Sequence, residues 1–145
     1  MNFINQKERK AKILIVDDEA FNLMACKYIL KAAGFQKVEQ RVDTATNGQI
    51  ALDMVKKDVQ ENKLSKYDLI LMDQNMPVLN GCSATKSIRE YLYHSLNPQP
   101  IIVGVSGQVE DEYVKKAVKY GMNQILSKPL DYKSIAVLLK VLNYI

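Results

Sequence analysis

The chain has no tryptophan, one histidine and two cysteines among its 145 residues, and no apolar run approaches the length a membrane requires. Each shortage closes off a class of protein. A helix needs about 20 predominantly apolar residues to cross a bilayer, and Met1 to Lys12 is too polar to form the core of a signal peptide. A soluble, cytoplasmic chain without membrane contact is therefore expected. Cys26 and Cys82 lack the spacing and the companions for a disulfide framework or a structural zinc site, so both are expected as small buried thiols. The formal charge is +4, but the lysines are scattered, as at Lys7 and Lys10, Lys56 and Lys57, and Lys115 and Lys116, with no arginine-rich stripe. A nucleic-acid surface would concentrate that charge, and none is expected. Low-complexity tracts are also missing, and the length suits one full-sized core.

What is present is an alternation of short aliphatic runs with longer stretches of helical spacing, the pattern of a parallel sheet covered by helices on both faces. A polar N-terminal extension, 1–11, precedes a single domain over 12–145. Strands are expected at Lys12 to Val16, Arg41 to Ala45, Tyr67 to Met72, Ile101 to Val105 with Ser106 at its end, and Gln124 to Ser127. Helices are expected over Glu19 to Ala33, with Asp18 placed to cap it, over about Gln49 to Asp58 after Asn47-Gly48, around Ala84, Ile88 and Tyr91, over Glu110 to Tyr120 with Val114, Ala117 and Val118 inward, and over Tyr132 to Leu142. That is five of each. Right-handed crossovers then favour an α/β doubly wound sheet of order 2-1-3-4-5. The chain reverses between the first and third strands, beside Asp17, Asp18 and Asp73.

Three aliphatic runs end on polar groups: Ile13 to Val16 leads into Asp17-Asp18, Leu69 to Met72 into Asp73, and Ile125-Leu126 toward Lys128-Pro129. If these runs are neighbouring parallel strands, three carboxylates and one ammonium meet at one sheet edge. Such a cluster suits a hard divalent cation and a transferring phosphoryl group. Asp73 can act as a nucleophile held by a rigid strand, or it can be a loop-initiating aspartate bonded to backbone amides. Asp18 is the expected direct ligand of Mg²⁺, with Asp17 toward a bound water, and the carbonyl of Asn75 offers another oxygen two residues after Asp73. Lys128 can pair with Asp73 at rest and with phosphoryl oxygens after transfer; a cis Lys128-Pro129 bend would aim it inward. Ser106 can donate a hydroxyl to a phosphoryl oxygen, or serve as an ordinary turn serine. His94 lies near a helix end among tyrosines and is expected at the surface, so a phosphohistidine donor would come from a partner.

Val16-Asp17-Asp18-Glu19, Asp73-Gln74-Asn75-Met76-Pro77 with Gly81, Ser106-Gly107 and Lys128-Pro129, in this order and at these spacings, resemble the receiver domain of two-component response regulators and hybrid histidine kinases. The resemblance runs from about Lys12 to Leu142, and Asn22 and Asn47-Gly48 are similar to receivers attached to hybrid kinases. It implies a flavodoxin-like receiver fold, Asp73 as phosphoacceptor, an acidic pocket of Asp17 and Asp18, Mg²⁺ held by Asp17, Asp18, Asp73 and Asn75, Ser106 as a switch hydroxyl and Lys128 on the phosphoryl group. The implied partner is a histidine kinase or a histidine phosphotransfer domain. Two positions depart from the pattern. Ile125 stands where many receivers carry Tyr or Phe, and the stretch Lys56 to Lys66 is longer than usual.

The resemblance implies a phosphoacceptor that catalyses its own modification without being a conventional turnover enzyme. Two other readings stand beside it. A receiver-like interaction module that is never phosphorylated would share the fold, and Ile125 leans that way. A small phosphoaspartyl hydrolase also binds Mg²⁺ at strand ends, but it commonly needs an acid or base two residues after the nucleophile, where this chain has Asn75. A flavin-binding protein of similar topology would need a phosphate-cradling loop after the first strand, and that loop is missing.

Overall fold

The computed structural model describes residues 12–145; the expected extension 1–11 lies outside the described residues. β1 (Lys12–Val16), β2 (Val42–Ala45), β3 (Tyr67–Asp73), β4 (Ile101–Ser106) and β5 (Gln124–Ser127) form one parallel sheet in the order β2-β1-β3-β4-β5. The helices are α1 (Ala20–Ala32), α2 (Val38–Arg41), α3 (Gly48–Asn62), α4 (Gly81–His94), α5 (Asp111–Tyr120) and α6 (Tyr132–Val141). The doubly wound order expected from the sequence is the order found.

β1 and β3 read as unbroken aliphatic runs because both of their faces are covered. Ile13, Ile15, Leu69 and Leu71 pack with Leu23, Cys26 and Leu30 of α1 and with Ile135, Leu138 and Leu139 of α6. Leu14, Val16, Ile70 and Met72 face the other way, onto Ala51 and Val55 of α3, Ala84, Ile88 and Leu92 of α4, and Ala117 of α5. Each such aliphatic side chain taken from water contributes about 1.5–3 kcal/mol, so the two central strands anchor both layers of the core. Both cysteines are buried and free, as expected. Burial, and secondarily the charge of Asp17, pushes the Cys26 thiol up to about 12.

Three expectations need correction. There are six helices, not five, because α2 is an extra single turn: Lys37 adopts a left-handed φ of 56°, Val38 packs into the core, and the Arg41 guanidinium sits 4.2 Å from the centre of the Phe35 ring. Four residues are too few to show an apolar period. The start of α1 is organised by Asp17 rather than Asp18, since the Glu19 N–H donates to Asp17 Oδ1 at 2.9 Å and the N-cap residue Glu19 makes no capping bond of its own. On α5, Val118 is exposed and Tyr113 packs inward with Ala117 and Tyr120. The long Lys56 to Lys66 stretch continues α3 to Asn62, where Lys63 closes it in a left-handed turn.

Arg89 of α4 fastens the opposite end of the molecule. Its guanidinium donates to the carbonyls of Gly121 (2.7 and 3.0 Å) and Pro100 (2.6 Å) and to the side chains of Gln99 (3.0 Å) and Asn123 (2.7 Å). Asn123 Oδ1 in turn accepts the Ile102 N–H at 2.8 Å, so one side chain sets the entries to β4 and β5. Arg89→Ala strands several acceptors at once and is expected to lower unfolding free energy by about 2–4 kcal/mol in urea titrations. A loss within about 0.5 kcal/mol, the range of ordinary surface changes, would show that these bonds are replaced by water.

Candidate functional site

Strand register builds the site. Val16 of β1 lies opposite Met72 of β3, so the next residues, Asp17 and Asp73, leave the sheet side by side. Asp73 lies opposite Val105, and Ser106 opposite Ser127, which puts Ser106 and Lys128 within a residue of the same edge. The Lys128 N–H donates to the Ser106 carbonyl at 2.9 Å, tying the turn after β5 to the end of β4. The Lys128-Pro129 peptide is cis, the bend anticipated for this position.

Asp17 and Asp73 are buried, Asp18 is exposed, and each offers a carboxylate oxygen within 4.8 Å of the other two. Lys128 Nζ lies 2.8 Å from Asp73 Oδ1 and 3.6 Å from Asp17 Oδ2. Burial pushes the Asp73 carboxyl above its ordinary value, Asp17 and Asp18 push the same way, and Lys128 offsets only part of this. Burial alone would lower Lys128, but its hydrogen bond to Asp73 and the charges of Asp73 and Asp17 hold it above the ordinary lysine value. The pocket thus gathers three carboxylates around one ammonium. Ser106 is buried, and its Oγ accepts the Gln108 N–H at 3.0 Å. Asn75 is exposed in the loop that follows Asp73.

That loop is held by close backbone approach. A Cβ at Gly81 would stand 2.3 Å from the Asp73 carbonyl oxygen, and one at Gly48 would stand 2.4 Å from the Leu79 carbonyl oxygen. The Gly48 N–H donates to that Leu79 oxygen at 3.2 Å, and the Gly81 N–H to the Gln74 carbonyl at 3.0 Å. These contacts give Asn47-Gly48 a physical meaning: the second glycine braces the loop of the phosphoacceptor candidate. Asn80 caps α4, its side chain accepting the Ser83 N–H at 2.9 Å.

Asp17, Asp18, Asp73, Ser106 and Lys128 therefore converge, while His94 is exposed at the far end of α4. With a rise of about 1.5 Å per residue, that end lies roughly 20 Å from the loop of Asp73. Two further residues fix the site's geometry: Gln74, to which the sequence argument gave no role, and Asn22, noted there only as part of the resemblance. Gln74 Oε1 accepts the Cys82 N–H at 2.9 Å, fixing the first turn of α4. Asn22 reaches Asp17 Oδ1 at 3.3 Å from the first turn of α1; its place four residues after Asp18 was the available signal. A cleft of about 380 Å³ opens from Asp17, Asp73 and Lys128 between α1 and the turn after β5, lined by Phe21, Ala25 and Leu130.

The family model described as "Response regulator receiver domain" matches residues 13–140. The chain is 34% identical over 128 residues to "Two-component response regulator ORR41" of Oryza sativa subsp. japonica, covering 88% of this chain and 91% of that protein. It is 34% identical over 131 residues to "Hybrid signal transduction histidine kinase M" of Dictyostelium discoideum, covering 90% of this chain and 5% of that protein. It thus spans nearly all of one relative and a small part of the other. Among solved structures, the receiver domain of the histidine kinase CKI1 from Arabidopsis thaliana complexed with Mg²⁺ and BeF₃⁻ superimposes with a TM-score of 0.75 at 26% identity, covering 92% of this chain and 89% of that one. A co-crystal structure of the Saccharomyces cerevisiae phosphotransfer protein Ypd1 and the receiver domain of Ssk1 gives 0.72 at 27% identity, covering 92% and 88%.

In metal-free protein at pH 7, Asp73→Asn is expected to raise the urea midpoint, because a neutral amide removes a charge that burial and two neighbouring carboxylates oppose. A carboxyl whose folded pKa lies above its unfolded value weakens the folded state when ionised, and that penalty fades as pH falls through the folded pKa. The gap between variant and wild type should therefore narrow toward acid pH. A variant less stable than wild type at pH 7 would show that the Lys128 pair outweighs burial and repulsion.

Proposed function

We infer, because the chain belongs to the response regulator receiver domain family, that it takes a phosphoryl group from a phosphohistidine partner onto Asp73 and relays a two-component signal. The observation carrying this reading is the juxtaposition of a buried carboxylate, Asp73, with two further carboxylates and one ammonium at the open edge of the sheet. The donor is a histidine kinase or a histidine phosphotransfer domain, by likeness to relatives that are hybrid kinases and to the Ypd1–Ssk1 complex. A cytoplasmic location belongs to the same reading; among the described residues no helix is long and apolar enough to cross a membrane.

The donor set fits Mg²⁺. Three hard oxygen donors lie within 4.8 Å, one of them on the exposed Asp18 where waters can complete a shell, and the raised Asp73 carboxyl marks a pocket short of positive charge. Asp17, Asp18, Asp73 and the Asn75 carbonyl would hold the ion. When bound, it would offset charge on the phosphoryl oxygens.

Asp73 is held at the end of β3 by the Gly81 approach, so its carboxylate is oriented before the donor arrives. A carboxylate oxygen bonds to phosphorus as the bond from phosphorus to the donor imidazole nitrogen breaks. The nitrogen keeps the electron pair and, with a proton, becomes neutral imidazole, leaving an acyl phosphate on Asp73. Lys128, now 2.8 Å from Asp73 Oδ1, is placed to shift onto the equatorial phosphoryl oxygens. Ser106 is placed to donate its hydroxyl to another of them. The donor histidine lies outside these 145 residues, because the one histidine among them, His94, lies at the far end of α4.

Incubation with phosphoramidate and Mg²⁺ is expected to add the mass of one phosphoryl group to the wild-type chain and none to Asp73→Asn. Labelling of the variant at the wild-type level would refute Asp73 as acceptor. A wild-type chain that stays unlabelled would favour the interaction-module reading, and sustained phosphomonoester turnover the hydrolase. By calorimetric titration, Asp18→Ala should bind Mg²⁺ about 10-fold more weakly or worse, whereas Cys82→Ala should match wild type. Equal affinity in Asp18→Ala would remove that carboxylate from the ion's ligands.

A further inference from the structure

Asn22 sits in the first turn of α1, half-buried, and lines the cleft beside Phe21 and Ala25. Water is within reach of its amide there, yet the side chain turns back over the start of the helix. Its Nδ2 reaches Asp17 Oδ1 at 3.3 Å and Glu19 Oε2 at 3.5 Å. Only the NH₂ end of an amide can face two carboxylates, so their charge sets the direction in which Asn22 points. The Glu19 N–H donates to the same Asp17 Oδ1 at 2.9 Å. That oxygen therefore carries two donors, one from the backbone and one from the side of α1.

The other oxygen is placed differently. Asp17 Oδ2 lies on the side of Lys128, 3.6 Å from its Nζ, and the same Nζ lies 2.8 Å from Asp73 Oδ1. The carboxylate is thus divided, with Oδ1 tied to the start of α1 and Oδ2 left to the acidic pocket. Without Asn22, Oδ1 would rest on the Glu19 N–H as a single pivot about which the group can turn. How many oxygens a carboxylate offers matters to the ion. Mg²⁺ requires near-octahedral geometry with oxygens at about 2.0–2.1 Å, whereas Ca²⁺ accepts about six to eight oxygens at about 2.3–2.6 Å, often taking both from one carboxylate.

We propose that Asn22 is a positioning residue that selects the ion: by holding Asp17 Oδ1 out of the pocket it limits Asp17 to one oxygen there and favours Mg²⁺ over Ca²⁺. This rests on the acidic pocket being a divalent-ion site, and it holds whichever residue accepts phosphate. Asn22→Leu keeps the shape of the side chain and deletes the donor, which frees both Asp17 oxygens for a larger and less regular shell. The signature is a change of preference between ions. A residue that only stabilised the start of α1 would, on removal, weaken both ions together.

The test is calorimetric titration of the full chain with Mg²⁺ alone and with Ca²⁺ alone, without a phosphodonor. Asn22→Leu is expected to bind Mg²⁺ about 10-fold more weakly while Ca²⁺ is held nearly as well as before, so that the preference for Mg²⁺ falls by at least about 5-fold. Asn22→Ala should move the preference in the same direction. Asn97 supplies the control, since its side chain accepts the Ser65 N–H at 3.0 Å where the chain enters β3 and β4, at the sheet edge opposite the carboxylates. Asn97→Ala should lower the melting temperature and leave the preference unchanged. A smaller fall in Asn22→Leu, Ca²⁺ binding that stays undetectable there, or an equal fall in Asn97→Ala would overturn the selector role, and Mg²⁺ binding by the wild type would still uphold the pocket as an ion site. A folded wild type that binds neither ion would overturn both.

Discussion

Three carboxylates share one end of the sheet with a single ammonium, and that imbalance of charge organises the rest of the molecule. Asp73 is buried and pushed toward protonation by its neighbours, and Lys128, 2.8 Å away, restrains it without cancelling them. A hydrophobic sheet would not gather such groups unless its register required it. Here Val16 pairs with Met72, so two aspartates must emerge together. The glycines at 48 and 81 then let backbone close within contact distance of the Asp73 loop, and no side chain fits at either place. The acidic pocket is thus a consequence of strand order and close packing, and the proposed divalent ion would relieve it.

Most of this was legible in the sequence because aliphatic runs ending in Asp or Lys carry both strand and site information at once. Ile13 to Val16 and Leu69 to Met72 announce doubly covered strands, and the polar residue after each must sit at the carboxyl edge. What escaped was set by tertiary contact. The α2 turn depends on Phe35, Val38 and Arg41 meeting around a left-handed Lys37. Asp17 organises the start of α1 where Asp18 stood nearer in sequence, because the buried Asp17 carboxylate needs donors and finds the Glu19 N–H and Asn22. Arg89 looked like any surface arginine, and its acceptors lie 10 to 34 positions away.

The inward face of α5 illustrates the limit of periodicity. Val114, Ala117 and Val118 satisfied an apolar spacing, yet the helix turns Tyr113, Ala117 and Tyr120 to the core and leaves Val118 outside. A short helix with aromatic residues at both ends can turn more than one stripe inward, and packing against the core, not spacing, decides which.

The claim that three carboxylates form a common divalent-ion pocket is tested most directly by following amide resonances of the folded chain as Mg²⁺ is added. Saturable shifts concentrated at Asp17, Asp18, Asp73 and Lys128 and in the loop carrying Asn75 are the predicted result. A folded protein whose resonances at those residues stay unmoved by Mg²⁺ would contradict the account.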